Sequence, residues 1–211
     1  MSEQMPHFAT PEAESKEESN TYEKHYDDTR NMPPAQLLVD AVKYVVHKDK
    51  ALDVGAGALR DTRFLLEQGF DVVAIDQSPL LAKEAEAVQS EKLHYVITSF
   101  DSFDFPENEY DIVSSTAALS FNHPDTFNEV FEKIKKSVKR EGILSVNIFG
   151  TNDEWNTDGN ERNMTFLSKD EVEKLFEGFK IITFYESEKD STTADKKPKH
   201  WHIFRVIAKR Q

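Results

Sequence analysis

An aspartate stands two residues before a pair of spaced glycines in Asp53-Val54-Gly55-Ala56-Gly57, and a second aspartate, Asp76, lies 21 residues beyond Gly55. Glycines after a strand let the backbone come close to a ligand. A carboxylate about 20 residues further on is placed to grip the two hydroxyls of a ribose. The carboxylate of Asp53, just ahead of the glycines, suits a ligand with a cationic amino group rather than a pyrophosphate. A dinucleotide site needs G-x-G-x-x-G, whose third glycine permits tight helix–strand packing. Here that position is Arg60. The spacing therefore disfavours a nicotinamide-dependent oxidoreductase, which stays as the enzyme alternative.

Other residues invite chemistry with less definition. His200 and His202 flank Trp201, and on a strand both histidines project to one face. A metal pair would need a carboxylate at ligand spacing to complete it, and no such carboxylate is obvious. The other readings are a pair orienting or deprotonating a substrate, and a sheet-edge pair with Trp201 in the core. Tyr22, His25 and Tyr26 cluster ahead of the first apolar helix, as a flap over a ligand or as simple packing. Trp155 sits in a long polar loop, 151–165, a length typical of lids and binding loops.

The elements that must position these residues follow from periodicity. Helical spacing marks 35–47, then an apolar strand leads into the glycines (50–57). Helix 59–69, strand 70–76, helix 78–89 with Ser78 as N-cap and Pro79 next, and strand 93–99 follow. Strand 110–115, an apolar segment 116–122, helix 123–139, strand 142–150 and helix 167–178 come next. Two final strands, 179–187 and 201–209, are separated by a charged loop. Alternating strands and helices imply right-handed crossovers and a mostly parallel sheet. The last pair lacks a helix between its strands, so it is antiparallel. The expectation is an α/β, doubly wound, seven-stranded sheet with a reversed last strand. Residues 1–20, rich in Glu, Ser and Pro, read as a disordered tail. Residues 21–211 read as one domain, with 21–48 an arm and helix packing on its core.

Composition narrows the function. The chain has 211 residues, enough to bury roughly 70% of its unfolded surface. With no cysteine, thiolate catalysis, Cys-ligated zinc and iron–sulfur clusters are excluded. A net charge of −13 repels phosphate backbones and anionic membranes. Neither a signal-type nor a membrane-spanning apolar run is present, so the expectation is a cytoplasmic monomer or homodimer, with no nucleic acid and no membrane as partner, and no metal.

Asp53 to Gly57, Asp76 at the end of the next strand, and the segment Phe103-Asp104-Phe105-Pro106-Glu107-Asn108-Glu109-Tyr110-Asp111-Ile112-Val113 together resemble the class I S-adenosylmethionine-dependent methyltransferases. Within that family the chain looks most like small bacterial methyltransferases of the tellurite-resistance type, which often carry an aromatic-rich segment and a Pro-Pro before the first long helix, as 22–34 does here. The family's usual third glycine is Leu59. The resemblance implies S-adenosyl-L-methionine as cofactor and a small-molecule methyl acceptor. It implies that Asp53 and the backbone of Gly55, Ala56 and Gly57 hold the amino-acid end. Asp76 would bond the ribose, with Gln77 beside it. Ser99 and Phe100 would meet the adenine, Asp101 would accept from its amino group, and Ser115 and Thr116 would line the sulfonium side. Ring side chains suit a sulfonium, so Tyr22 or Tyr26 is expected at the cofactor, on an arm that orders upon binding. The catalytic residue is unknown, with His200 and His202 the candidates. A noncatalytic S-adenosylmethionine-binding protein is a further alternative. For a nucleic-acid methylase, the Ser-Ser-Thr-Ala after the fourth strand lacks the expected Pro-Pro-aromatic pattern.

Overall fold

A computed structural model describes residues 16–157 and 162–211, with side chains from residue 23 onward. Two helices, α1 (Lys16–Thr29) and α2 (Gln36–Val42), precede β1 (Lys50–Val54). There follow α3 (Arg60–Glu67), β2 (Asp71–Asp76), α4 (Leu80–Val88), β3 (Leu93–Ile97) and β4 (Tyr110–Ser115). A 3-10 turn at Leu119–Phe121 leads to α5 (Pro124–Ser137), then β5 (Val138–Phe149), α6 (Lys169–Leu175), β6 (Phe179–Thr192) and β7 (Pro198–Arg210). The seven strands form one sheet in the order β3-β2-β1-β4-β5-β7-β6. β1 to β5 pair in parallel, and β7 runs antiparallel to both β5 and β6. The expected doubly wound sheet is therefore present.

The parallel strands β1 and β4 are buried almost throughout, as strands covered on both faces are. One face packs Phe127, Phe131 and Ile134 of α5 with Phe176 against Val113, Leu144 and Val146. The other packs Leu38 and Val42 of α2 and Leu65 of α3 against Ala51, Ile112 and Ile207. Pro124 opens α5, and Ser168 caps α6 in a reciprocal box with Glu171. No helix among the described residues is long and apolar enough to cross a membrane.

Three elements differ from the sequence reading. Helix α1 begins at Lys16, so residues 16–20 of the segment read as a tail are helical, while 1–15 lie outside the described residues. Its polar sequence lacks an apolar stripe, and docking comes instead from ion pairs. Arg30 grips the buried Glu84 of α4 through Nε (2.9 Å) and a second nitrogen (2.6 Å), and Arg63 reaches the same carboxylate at 3.4 Å. Helix α2 stops at Val42 rather than at residue 47. β6 continues through Glu188–Thr192, read as loop because it is charged; there the β6–β7 hairpin runs past the end of β5, whose last residue, Phe149, pairs with Ile203.

Glu84 is the one acid shared by the two arginines, and both arginines are about one-third exposed. Breaking a fully buried pair costs about 3–5 kcal/mol, so partial exposure puts Glu84→Gln at about 2 kcal/mol in urea unfolding. Amides 23–30 should lose hydrogen-exchange protection in that variant. Unchanged protection there would mean that α1 is held by something else.

Candidate active site

The site is built at the carboxyl ends of the parallel strands, where open α/β sheets bind ligands. β1 runs into Gly55 at φ +76°, Gly57 at φ +50° and Leu59 at φ +59°. The left-handed conformation at Leu59 is the one a glycine adopts freely, which gives the physical reason for the family's glycine there. In this chain Leu59 is fully buried, packing with Leu81 and Ala74. The Gly55 and Ala56 N–H groups both donate to the Ile75 carbonyl, at 2.9 and 3.0 Å.

The two glycines have different surroundings. A Cβ on Gly55 would overlap the Ala118 side chain, with the Phe100 ring 3.4 Å away; a Cβ on Gly57 would meet no atom within 4 Å. The chain itself closes on Gly55, and the open face of the turn is at Gly57.

Asp76 ends β2 and faces that opening. Its Oδ2 accepts from the Gly57 N–H and its Oδ1 from the Ser78 N–H, each at 2.9 Å. Each carboxylate oxygen keeps lone-pair capacity for a further donor. Gln77 follows, and Ser78 Oγ accepts from the Leu80 N–H at 3.3 Å; α4 opens at Leu80 with Pro79, and not Ser78, at its N-cap. Tyr26 of α1 is buried beside Asp76, and its hydroxyl has no hydrogen-bond partner among the described residues. Burial and the Asp76 charge push the phenol's pKa up. His25, on the same helix, lies within electrostatic range of Asp76 and Arg60. The side chain of Tyr22 lies outside the described residues. The arm is thus a docked helix, with Tyr26 beside Asp76.

Asp53 is buried. It accepts from Thr62 Oγ1 at 2.6 Å and Ser114 Oγ at 3.2 Å. Burial is the main cause, with the neighbouring Asp61 adding to it, that raises its pKa to about 7. Asp61 in turn accepts from the Ala35 N–H and pairs with Arg60. Asp53 therefore acts from beneath the turn, through strand and helix hydroxyls.

Beyond β3, Ser99 closes a tight turn, its Oγ 3.0 Å from Ser102 Oγ and its carbonyl taking the Phe103 N–H. Phe100 packs on the core next to Gly55. Asp101 is exposed and lies 3.2 Å from the Asn122 amide nitrogen, once that amide is oriented to satisfy both its ends. The Ser115 hydroxyl donates to the Val54 carbonyl at 2.9 Å, so it locks β4 to β1; Thr116 beyond it is half-buried.

His200 and His202 share a face as expected, and both are engaged by acids of β6. His200 contacts Asp190 at 2.7 Å and Glu188 at 3.3 Å, which raise its pKa. Buried His202 accepts the Asn152 N–H on Nδ1 at 3.1 Å, and its Nε2 lies 3.2 Å from Glu186. The His202 ring also fills the space where a Cβ on Gly150 would fall. With both ring nitrogens of each histidine in use, the pair braces the loop after β5.

Sequence reasoning missed two features. Ala118 is an unremarkable residue type whose role appears only when β4 lies beside β1. The hairpin tip brings Asp195 within electrostatic range of Lys24 on α1, a contact between chain ends that no local pattern encodes.

The orphaned Tyr26 hydroxyl beside a carboxylate with spare lone pairs, and the open space over Gly57, fit a ribose-bearing ligand. The comparisons agree with that geometry. Residues 52–146 match the methyltransferase domain family. TehB from Haemophilus influenzae is 17% identical with a TM-score of 0.70, over 84% of this chain and 62% of that one. A Burkholderia thailandensis 1,6-didemethyltoxoflavin-N1-methyltransferase, solved with its substrate and S-adenosylhomocysteine, is 21% identical with a TM-score of 0.63, covering 97% and 93%. The methyltransferase partner in a Haloferax volcanii complex with the Trm112 activator is 16% identical with a TM-score of 0.64, covering 92% and 94%. No curated protein matches the sequence.

Asp53 supplies a prediction. Its folded pKa of about 7 exceeds the ordinary 3.8, so the folded chain holds a proton that the unfolded chain releases. The resulting stabilisation is full below about pH 4 and is lost as pH rises through about 7. In Asp53→Asn the amide cannot ionise. Its urea midpoint, relative to the parent, should climb between about pH 4 and about pH 7 and level off above that. A pH-independent difference would show that Asp53 is ionised throughout.

Proposed function

We propose that this chain, whose residues 52–146 match the methyltransferase domain family, is a class I S-adenosylmethionine-dependent methyltransferase that transfers the methyl group to a small-molecule acceptor. The domain as a working unit runs from α1 to the end of β7, with α1 as a wall of the cofactor site. The observation that carries the reading is Asp76, held by the Gly57 and Ser78 N–H groups beneath the buried Tyr26 hydroxyl. A small acceptor is supported by the Burkholderia relative, whose named substrate is a small heterocycle, and by the net charge of −13, which opposes nucleic acid.

S-adenosylmethionine supplies, when bound, a methyl group on a sulfonium that is already a good leaving group. The residues then bind, align and exclude water. Asp76 would accept from the ribose hydroxyls, and Tyr26 would donate to the same end. The open face of the turn at Gly57 would lie against the amino-acid end, with the buried Asp53 carboxyl beneath it. Phe100 and Ser99 would border the adenine, and Asp101 its amino group. Thr116 would face the sulfonium side. Ser115 holds the strands in register for it. A general base is required only if the acceptor must lose its proton in the transfer step, and neither His200 nor His202 has a free nitrogen for that role.

Asp76→Ala should weaken S-adenosylhomocysteine binding by about 10- to 100-fold in calorimetry, the span of a charge-assisted hydrogen bond. Gly57→Ala is the complementary probe: its Cβ meets no protein atom, and at φ +50° it costs about 1–2 kcal/mol of stability, so the variant should fold, with a lowered urea midpoint, yet bind poorly. Gly55 is unsuitable, because Ala118 already blocks any side chain there. Full affinity in both variants, or thermal stabilisation by NAD and not by S-adenosylhomocysteine, would sink the reading.

A further inference from the structure

The ends of β4 and β5 carry a cluster of rings that the cofactor site does not use. Phe149 is the last residue of β5, Phe121 closes the 3-10 turn after β4, Trp155 lies in the loop after β5, and Trp201 is on β7. Phe121 meets Phe149 at 6.1 Å and Trp155 at 6.0 Å between ring centroids, and Trp155 meets Trp201 at 5.4 Å. This cluster stands next to the glycine turn, since Ala118, three residues before Phe121, is the residue packed on Gly55.

Beneath the rings lies Lys199, its side chain 1% exposed and paired with the equally buried Asp153. Its ammonium sits 3.8 Å from the Trp201 centroid and 4.4 Å from that of Trp155. Asp153 also accepts the Trp155 and His202 N–H groups. The aromatic cage thus already holds its own cation, with a counter-charge, and has no place for a cationic ligand.

What the cluster leaves open is Phe121. Half of its surface is exposed (50%), although the turn beneath it is fixed on both sides. Ser120 Oγ accepts the Phe149 N–H at 2.8 Å, the Ser120 carbonyl accepts the Thr165 N–H at 2.8 Å, and Thr165 Oγ1 donates to the Asn122 carbonyl at 2.9 Å. A ring held this rigidly and left half in water is a preorganised stacking surface.

We propose that Phe121 is the stacking platform for the methyl acceptor, and that the acceptor is a planar aromatic or heteroaromatic small molecule whose ring hydroxyl or ring nitrogen takes the methyl group. This rests on the methyl-transfer reading above. The acceptor's oxygen or nitrogen lone pair forms the new bond to carbon, the carbon–sulfur pair stays on sulfur, and the acceptor's proton passes to water.

The test uses the full chain saturated with S-adenosylhomocysteine, whose binding is measured first by calorimetry. β-Naphthol is then compared with β-decalol, its saturated and puckered counterpart, by saturation-transfer NMR. β-Naphthol should bind and β-decalol should not. Phe121→Leu should bind β-naphthol about fivefold more weakly, Phe121→Tyr should restore it, and both should keep the parent's cofactor affinity. Equal signals from the two alcohols, or undiminished binding by Phe121→Leu, would overturn the proposal alone. Absence of S-adenosylhomocysteine binding would overturn the methyl-transfer reading and this proposal with it.

Discussion

The close approach of the chain after β1 to the chain after β4 governs the site. Parallel pairing sets Leu52 beside Val113 and Asp53 beside Ser114, so the two strands deliver their following residues to one place. Ala118 then occupies the space beside Gly55 where any side chain would fall. The turn has to curl in the left-handed region at Gly55, Gly57 and Leu59. That curl aims the Gly57 N–H at Asp76, which β1–β2 pairing holds one strand away. Leu59 shows how firm the constraint is. A left-handed conformation costs a non-glycine residue about 1–2 kcal/mol, and here it is offset by the full burial of the Leu59 side chain.

Around this backbone device the chain builds walls from parts outside the parallel sheet. Helix α1 is drawn in by Glu84, which satisfies Arg30 and Arg63 together, while Arg63 also donates to the Ala58 and Arg30 carbonyls. One arginine thus ties the arm to the residue next to Gly57. The β6–β7 hairpin overshoots β5, and its acids and histidines neutralise one another along it. A strand segment that leaves the sheet loses its apolar face and reads as charged, which is how a protruding hairpin stays solvated.

Those same facts separate what was legible from what was not. β1 to β5 could be read because runs of apolar residues, bounded by turn residues, alternate with helical spacing. Asp76 could be read because its distance from Gly55 measures one βαβ unit. The closeness of Tyr26 to Asp76 could be anticipated because Pro33 and Pro34 tether the arm. The helical form of that arm was hidden: α1 is polar, and its anchor, Glu84, is a buried charge in the middle of α4, a position where an exposed glutamate would look the same. The outer half of β6 was hidden by its charge. The engagement of His200 and His202 with β6 acids was hidden because cross-strand partners depend on register, which sequence spacing alone does not set. Asp53 was read as a ligand contact, and its burial among Thr62 and Ser114 puts it one layer below the surface of the turn.

The division between backbone and side-chain devices also explains the pattern of likeness. The cofactor half uses N–H groups, positive-φ turns and one carboxylate, so it asks little of residue identity beyond glycine and aspartate at fixed spacing. Two solved methyltransferases share the fold with TM-scores of 0.70 and 0.63 at only 17% and 21% identity, as expected when backbone geometry is the constraint. The proposed acceptor face depends on side chains: rings at 121 and 155 on the loops after β4 and β5, and at 149 and 201 on β5 and β7, beside an internal ammonium. Such side chains can be replaced without moving β1 or β2, because no hydrogen bond of the Gly55–Asp76 turn passes through them. On the proposed reading, affinity for the nucleoside and choice of acceptor would be set by different parts of the molecule, which meet where Ala118 touches Gly55.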